Sequence, residues 1–522
     1  MEKLKQQKIK SPLGIILQIP IWLISLLGLY KLFSTAFLGF TSYNVLEKPN
    51  FIGFENFTRI RNDDIVQIAL SNTRMFVMIA AVLLLVCAVI PALFISKLKL
   101  PFGLGILAGY SLVSFSAMLP GSWNYIFSGD TYGLLNSFLS EPVMWKGEYA
   151  NIICIIILFL ICIAPVFAIT YIGAKLKKPL VGAAAALCSI PLLMAANSAR
   201  LASVIGYPSV DYRAEWLPTI IGDYAKTRFE VGFASALTTV GVLMFLGWCA
   251  VIIGLTVLVN YILKKAKINI ENQKIFGYSA LVFAGVLAVA FLLITFVCTV
   301  SNSLKPMEEF FVFPPSVIAK NPTFKNFADL FMVYDNTKFS LLKSFSGLPR
   351  LFLIYIFAIL PCAIGFAAFD SCKRQSLLLL PLVGLTGLAH ELQINYSVAN
   401  LQAGSLLSGI SCAVLIFVSY LVVRLILRSG EKRTLCILLG VLCLITSFFA
   451  VASTTLNFGT YFVYEQNLYN WRHVNSLLSS HVGVSAAADL LMLLFTVCIS
   501  VIPIILLTAI YLLQKNSEEY DK

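Results

Sequence analysis

Twelve apolar stretches, set off from one another by short polar links, constrain this chain more than any other feature. They lie near residues 12–42, 66–96, 101–128, 151–174, 180–206, 232–263, 276–300, 340–370, 376–396, 404–427, 434–455 and 484–513. A helix that crosses a bilayer needs about 20 consecutive apolar residues, and each stretch meets that length. Composition closes the alternative. Only 12% of the 522 residues are charged and 59% are hydrophobic, against about 25% charged in an average soluble chain. Such a chain cannot cover a globular surface with polar groups, which excludes a soluble enzyme and a disordered protein alike. The expected fold is an all-α integral membrane protein of about 12 transmembrane helices.

Charge sets the orientation. The net charge of +13 is not read as nucleic-acid binding, because basic residues in a membrane protein gather in cytoplasmic loops. The links holding Lys97/Lys99, Lys175/Lys177/Lys178, Lys264/Lys265/Lys267, Lys373/Arg374 and Arg428/Lys432/Arg433 are short and basic, and they share a side with both termini. That side is expected to be cytoplasmic, in a bacterial-type plasma (inner) membrane. The opposite loops are longer and rich in Asn, Tyr, Trp and Pro. Met1–Lys10 carries four lysines, and the apolar segment after it lacks a small-residue cleavage site, so it reads as a retained first helix. Most cysteines, Cys87, Cys154 and Cys162 among them, sit inside apolar runs without a CxxC pair; no disulfide framework or metal site is expected.

The chain also repeats itself. Phe54-Glu-Asn-Phe-Thr-Arg-Ile60 follows the first apolar run and Phe324-Lys-Asn-Phe-Ala-Asp-Leu330 follows the seventh. The pattern F-x-N-F-x-x-[I/L] in the first outward loop of each six-helix set marks a parallel internal repeat. Two pseudo-symmetric halves are expected, 1–270 and 271–522, an organisation common among transporters.

These residues carry a family resemblance. Pro49-Asn-Phe-Ile-Gly-Phe-Glu-Asn-Phe-Thr-Arg-Ile60 resembles the first outward loop of the larger permease subunit in maltose-type ABC sugar importers. Tyr132-Gly-Leu-Leu-Asn-Ser-Phe-Leu139 and Phe229-Glu-Val-Gly-Phe-Ala-Ser-Ala236 resemble later segments of that subunit. Ser303-Leu-Lys-Pro-Met-Glu-Glu-Phe-Phe-Val-Phe-Pro-Pro-Ser316 and Lys320-Asn-Pro-Thr-Phe-Lys-Asn-Phe327 are similar to its partner subunit. The resemblance implies two permease subunits fused head to tail, taking up a carbohydrate-like small-molecule solute from an extracytoplasmic binding protein. It also implies separate ATP-binding subunits. The chain has no GxxxxGK[ST] phosphate loop and no catalytic motif, so ATP enters only through such a partner.

One departure is plain. Family members carry a long loop with a Glu-Ala-Ala…Gly core between the fourth and fifth helices of each half, which holds the ATPase. Here the corresponding links are Gly173-Ala-Lys-Leu-Lys-Lys-Pro-Leu180 and Arg428-Ser-Gly-Glu-Lys-Arg-Thr434. Neither holds that core, and neither is long enough for two helices at 1.5 Å rise per residue. An ATPase would have to use Lys175, Lys177, Lys178, Lys432 and Arg433. Two alternatives stay open: a non-transporting scaffold or receptor that docks a binding protein or lipoprotein, and an ion-coupled transporter.

Polar residues at membrane depth are functional candidates. Trp123 and Asn124 end the third run, and His390, Glu391 and Asn395 lie on the ninth. They occupy equivalent places in the two halves and read as a solute path or, for His390 and Glu391, a proton relay. An interhelical hydrogen-bond pair explains the latter two more cheaply. Asn197 and Arg200 share a helix face; Arg200 meets an anionic group or Glu391, or snorkels outward. Tyr212, Trp216, Tyr464 and Trp471 are outer-loop aromatics for a solute or protein partner, unless they form a headgroup belt.

Overall fold

The computed structural model describes residues 13–117, 120–129, 133–175, 177–196, 201, 213–265, 274–332, 348–368, 409–427, 433–455 and 482–520. Among these the chain is helical, with an isolated β-bridge between Thr41 and Phe51. The elements are α1 (Ile19–Leu38), α2 (Glu55–Asn62), α3 (Asp64–Ile95), α4 (Leu100–Ala117), α5 (Pro120–Ile126), α6 (Ala150–Lys175), α7 (Pro179–Ala196), α8 (Leu217–Lys226), α9 (Val231–Lys265), α10 (Lys274–Leu304) and α11 (Lys325–Met332). Then come α12 (Leu348–Ile354, Tyr355–Ile359 and Leu360–Ala368), α13 (Gly409–Leu427), α14 (Arg433–Thr455) and α15 (Val482–Tyr520). Helices cover eleven of the twelve expected runs, and the run at 376–396 lies outside the described residues. Among the described residues, five helices, α3, α4, α6, α9 and α10, are long and apolar enough to cross a bilayer.

Contacts divide the chain into two units: Thr35–Ser340 with Gly459–Leu494, and Met1–Ser34 with Leu341–Phe458 and Phe495–Lys522. The larger unit is built round α6. Its sequence carries no charge before Lys175, and 72% of its most apolar stretch is buried against α3, α4 and α7, compared with 17% for α9. With no water at this depth, every backbone group on α6 needs a protein partner. Pro165 breaks the helix's hydrogen-bond ladder, and Ser114 of α4 bridges the neighbouring gap: its Oγ donates to the Leu160 carbonyl at 2.9 Å and accepts from the Ala164 amide at 3.4 Å. Lys274–Leu304, α10, lies beyond residue 270 yet packs on α4 and on the C-terminal end of α3 in this unit.

The smaller unit packs α13, α14 and the C-terminal part of α15 around Val422, Cys436, Cys443 and Ile510, with α12 laid against α13. Tyr355 is buried there with its hydroxyl 2.9 Å from Ser419 Oγ, and Phe352 meets Phe448 edge-on at 5.1 Å.

A π-helical turn interrupts α3 at Leu85–Val89 and α12 at Tyr355–Ile359. Each ends two residues before a proline, Pro91 or Pro361. Proline lacks the N–H that would bond the carbonyl four residues back, and the helix widens to accommodate the loss. In α3 that freed carbonyl is Cys87's, and Tyr110 of α4 donates its hydroxyl to it at 2.8 Å. The two turns and their prolines stand 270 residues apart, the same offset that separates Asn56 from Asn326. The repeat first seen in a seven-residue motif therefore continues in register into the next helix and fixes the same local backbone there.

The link between α6 and α7 is as short as a helical hairpin allows. The Lys178 amide bonds the Gly173 carbonyl at 2.9 Å and the Lys177 amide bonds that of Ala174 at 3.0 Å, the Schellman pattern of a helix end. Lys177 takes the left-handed conformation at φ 60°, and Pro179 opens α7 directly. The helices cross at Gly173 and Gly182, where a Cβ on Gly173 would lie 2.4 Å from the Gly182 Cα. Since a non-glycine residue at that φ is disfavoured by about 1 kcal/mol, Lys177→Gly is expected to raise the thermal midpoint of the detergent-solubilised chain. Gly173→Leu, which drives a side chain into backbone, is expected to lower it or prevent folding.

Candidate functional site

The last carbonyls of α1 and α10 need partners. Asn56, the asparagine of the first F-x-N-F motif, is buried, and its Nδ2 donates to the carbonyls of Gly39 and Thr41, both at 2.9 Å. Between them the Phe40 carbonyl accepts from the Ile52 amide at 2.9 Å. Asn326, of the second motif, does the same: Nδ2 donates to Ser303 at 3.0 Å and Lys305 at 2.8 Å. The intervening Leu304 carbonyl accepts from the Thr323 amide at 2.7 Å. The motif's phenylalanines flank each clamp, with Phe54 and Phe57 ring centroids 5.9 Å apart and Phe324 and Phe327 6.1 Å apart.

A glycine at the start of a later helix closes each clamp. Gly232 at the start of α9 donates its amide to the Tyr43 carbonyl at 2.8 Å, and a Cβ there would sit 2.1 Å from the Thr41 carbonyl oxygen. A Cβ on Gly483 at the start of α15 would lie 2.5 Å from Asn326 Nδ2. Both glycines follow a valine, in Val231-Gly-Phe-Ala-Ser-Ala236 and Val482-Gly-Val-Ser-Ala-Ala487. The sequence reading singled out the first copy and missed the second, though Val-Gly at a helix start was the visible signal. Near the first clamp, Arg59 pairs with Glu230 and lies over the Phe233 ring at 4.1 Å. Tyr224 donates to Asp63 Oδ2 at 2.7 Å, so α2, α3, α8 and α9 are tied together.

Beside the second clamp lies a buried polar cluster. Lys305, directly after α10 and fully buried, donates through Nζ to Asn302 Oδ1 at 3.0 Å, to the Tyr125 hydroxyl at 3.3 Å and to the Ser316 carbonyl. Burial lowers its pKa to about 8, against a pull upward from Glu309 and Cys298. Burial also opposes charge on Glu309, yet its carboxylate stays below the usual range because it accepts from the Lys320 amide, the Ser316 hydroxyl and the Asn321 amide and lies near Lys305. Tyr125's neighbour Asn124 accepts from Lys146 Nζ at 2.6 Å, and burial brings that lysine to about 8 as well. The sequence marks neither lysine as a site residue: Lys305 lies within the segment Ser303–Ser316 that carries the family resemblance, and Lys146 lies between the third and fourth apolar runs.

The other sequence-derived residues are placed as follows. Trp123 is buried, stacks on Phe127 at 5.9 Å and donates its indole N–H to the Ala117 carbonyl at 2.9 Å. Trp216 is buried against Phe76, so it packs the start of α8 onto α3. Lys177 and Lys178 are exposed, while Lys175 donates to the Leu98 carbonyl at 2.8 Å. Arg433 is the first residue of α14. Asn197, Arg200, Tyr212, His390, Glu391, Asn395, Lys432, Tyr464 and Trp471 lie outside the described residues. A cleft of about 350 Å³ opens beside the N-terminus of α6, lined by Ser71, Asn72, Glu148, Asn151 and Arg213 among others. Asn151 Oδ1 is buried without a hydrogen-bond partner.

The fold and these sites define a multi-pass helical membrane protein. A scan against models of protein families and a search of curated proteins find no match.

Two outcomes test the geometry. Asn56→Ala and Asn326→Ala each strand two carbonyls, at about 1–3 kcal/mol apiece when they stay buried. Both variants are expected to lower the thermal midpoint by a similar amount, measured on the full chain in detergent. The second concerns Lys305. Above about pH 8 the folded chain holds fewer protons at this site than the unfolded chain does, whose lysine titrates near its ordinary 10.5. Stability therefore rises with pH from about 8 towards about 10, where unfolded tyrosines begin to titrate. Lys305→Met is expected to flatten that rise in thermal unfolding followed across this range, with Lys146 retaining part of it.

Proposed function

We propose that this chain is the membrane-spanning component of a solute importer. It consists of two parallel six-helix halves, 1–270 and 271–522, fused as two permeases of the maltose-type ABC family would be. The observation that carries the reading is the repeat held at a 270-residue offset: an asparagine clamp on the first helix of each half, then a π-turn and proline in the next. Parallel repeats place a solute path near the axis between halves. The solute is polar and carbohydrate-like, delivered by an extracytoplasmic binding protein. The hydroxyl, amide and charged groups around the 350 Å³ cleft support a hydroxyl-rich solute over an apolar one.

Energy comes from a separate ATP-binding subunit. The α6–α7 hairpin leaves no residues for the helix that such subunits grip in this family, so the contact falls on Lys177 and Lys178 and on the basic link before α14. The same hairpin favours one rival reading, a permease-derived scaffold that keeps the outward surface to dock a lipoprotein or binding protein and moves no solute. Purification of the chain from its native membrane under mild detergent, followed by uptake assays in vesicles, separates the two. An importer is expected to co-purify with a nucleotide-binding subunit and to accumulate labelled solute only with ATP. A stable complex with an outer partner, no ATPase and no uptake establishes the scaffold. Uptake that needs a proton gradient and not ATP contradicts both.

A further inference from the structure

At the end opposite the clamps, the link Ser96–Lys99 sits where three helix ends converge. Lys175 at the end of α6 bonds the Leu98 carbonyl at 2.8 Å. The start of α10 lies against the end of α3, with Phe276 stacked on Phe94 at 5.6 Å and a Cβ on Gly277 reaching the Phe94 carbonyl at 3.1 Å. The start of α10 also meets the start of α4, where Tyr278 faces Phe102 edge-on at 6.4 Å. Two features stand out on the resulting surface. Lys97 and Lys99 are exposed, joined by Lys175, Lys177 and Lys178 across the bonded links, and residues 93–102, 171–182 and 274–280 contain no Asp or Glu. Beside the lysines, Phe102, Phe276 and Tyr278 are 41%, 50% and 52% exposed.

Lysines alone would be solvated cations, and exposed rings alone would be a headgroup belt. Together at helix ends they match one chemistry: a phosphate carrying negative charge, attached to apolar chains. Clusters of basic side chains at the ends of membrane helices bind anionic lipid headgroups, and the attraction falls off within a Debye length. The N-terminus of α4 starts inside the cluster and adds the positive end of a helix dipole. We propose that Lys97, Lys99, Phe102 and Tyr278 form a seat for an anionic phospholipid, the lysines on its phosphate and the rings along its glycerol and upper acyl chains. The seat does not depend on transport, and it stands or falls apart from the importer reading.

The test uses the full chain in neutral detergent, titrated with a fluorescent phosphatidylglycerol and, separately, a fluorescent phosphatidylcholine. Wild type is expected to bind the anionic lipid more tightly. Raising salt from about 0.1 M to about 1 M, which shortens the screening length from about 10 Å to about 3 Å, is expected to abolish the preference. Lys97→Gln with Lys99→Gln is expected to weaken anionic binding on the order of thirtyfold and to leave the thermal midpoint in phosphatidylcholine unchanged. Lys264→Gln with Lys265→Gln, at the end of α9, serves as the control and is expected to bind as wild type. Phe102→Ala is expected to weaken both lipids. Equal binding of the two lipids by wild type, retention of the preference in the Lys97/Lys99 variant, or an equal loss in the control overturns the seat. Displacement of the lipid by millimolar inorganic phosphate overturns the assignment to lipid. If the double variant fails to fold, the salt titration of wild type still decides, because a preference that survives about 1 M salt contradicts a lysine–phosphate contact.

Discussion

A membrane helix that ends must leave carbonyls without helical partners, and how this chain satisfies them organises most of what surrounds them. At the ends of α1 and α10 one asparagine reaches two of these carbonyls and one loop amide takes the third between them. The bonds pull each loop back onto the helix it follows. That brings a short helix, α2 or α11, against the helix end and leaves room for a glycine at the start of a later helix. Side chains at that glycine would strike the carbonyl or the asparagine itself. Loop, first helix and last helix are thus held at one point, and α3, α8 and α9 gather round the first of these through Arg59, Glu230, Tyr224 and Asp63.

The same rule, that no backbone group goes unpaired in an apolar medium, accounts for the polar residues inside the larger unit. Ser114 mends α6 next to Pro165, and Tyr110 takes the carbonyl that Pro91 releases. Each is a polar residue at membrane depth, the kind that marks a transport path by default. Here the structure gives them a structural task. The indole N–H of Trp123 likewise donates to the carbonyl of Ala117. Among the described residues, further polar and charged groups gather at the helix ends: the Lys305 cluster, the cleft at the start of α6 and the basic face around Lys97.

How much of this was legible in the sequence depends on distance along the chain. The apolar runs gave the helices, because twenty residues without charge have few other folds open to them. Asn56 and Asn326 were marked by a motif, though their task as clamps was not, since the bonded carbonyls lie 15 to 23 residues away. The π-turns leave no local mark in the sequence, yet Pro91 and Pro361 stand at the repeat's own offset. Lys305 was hidden because burial of a lysine needs three acceptors from separate segments, and no local pattern announces that. Trp216 stands in the sequence as an outer-loop or belt aromatic, and no local pattern announces that its ring packs against Phe76, 140 residues earlier in the chain.

The central claim is that one clamp, used twice, builds both loops. A cryo-EM reconstruction of the full chain in a lipid nanodisc, at a resolution that places side-chain amides, tests it most directly. The account predicts Asn56 Nδ2 within hydrogen-bond reach of the carbonyls of residues 39 and 41, and Asn326 Nδ2 within reach of those of 303 and 305, with Gly232 and Gly483 packed against them. Either asparagine turned to solvent, or the two loops folded differently, would contradict it.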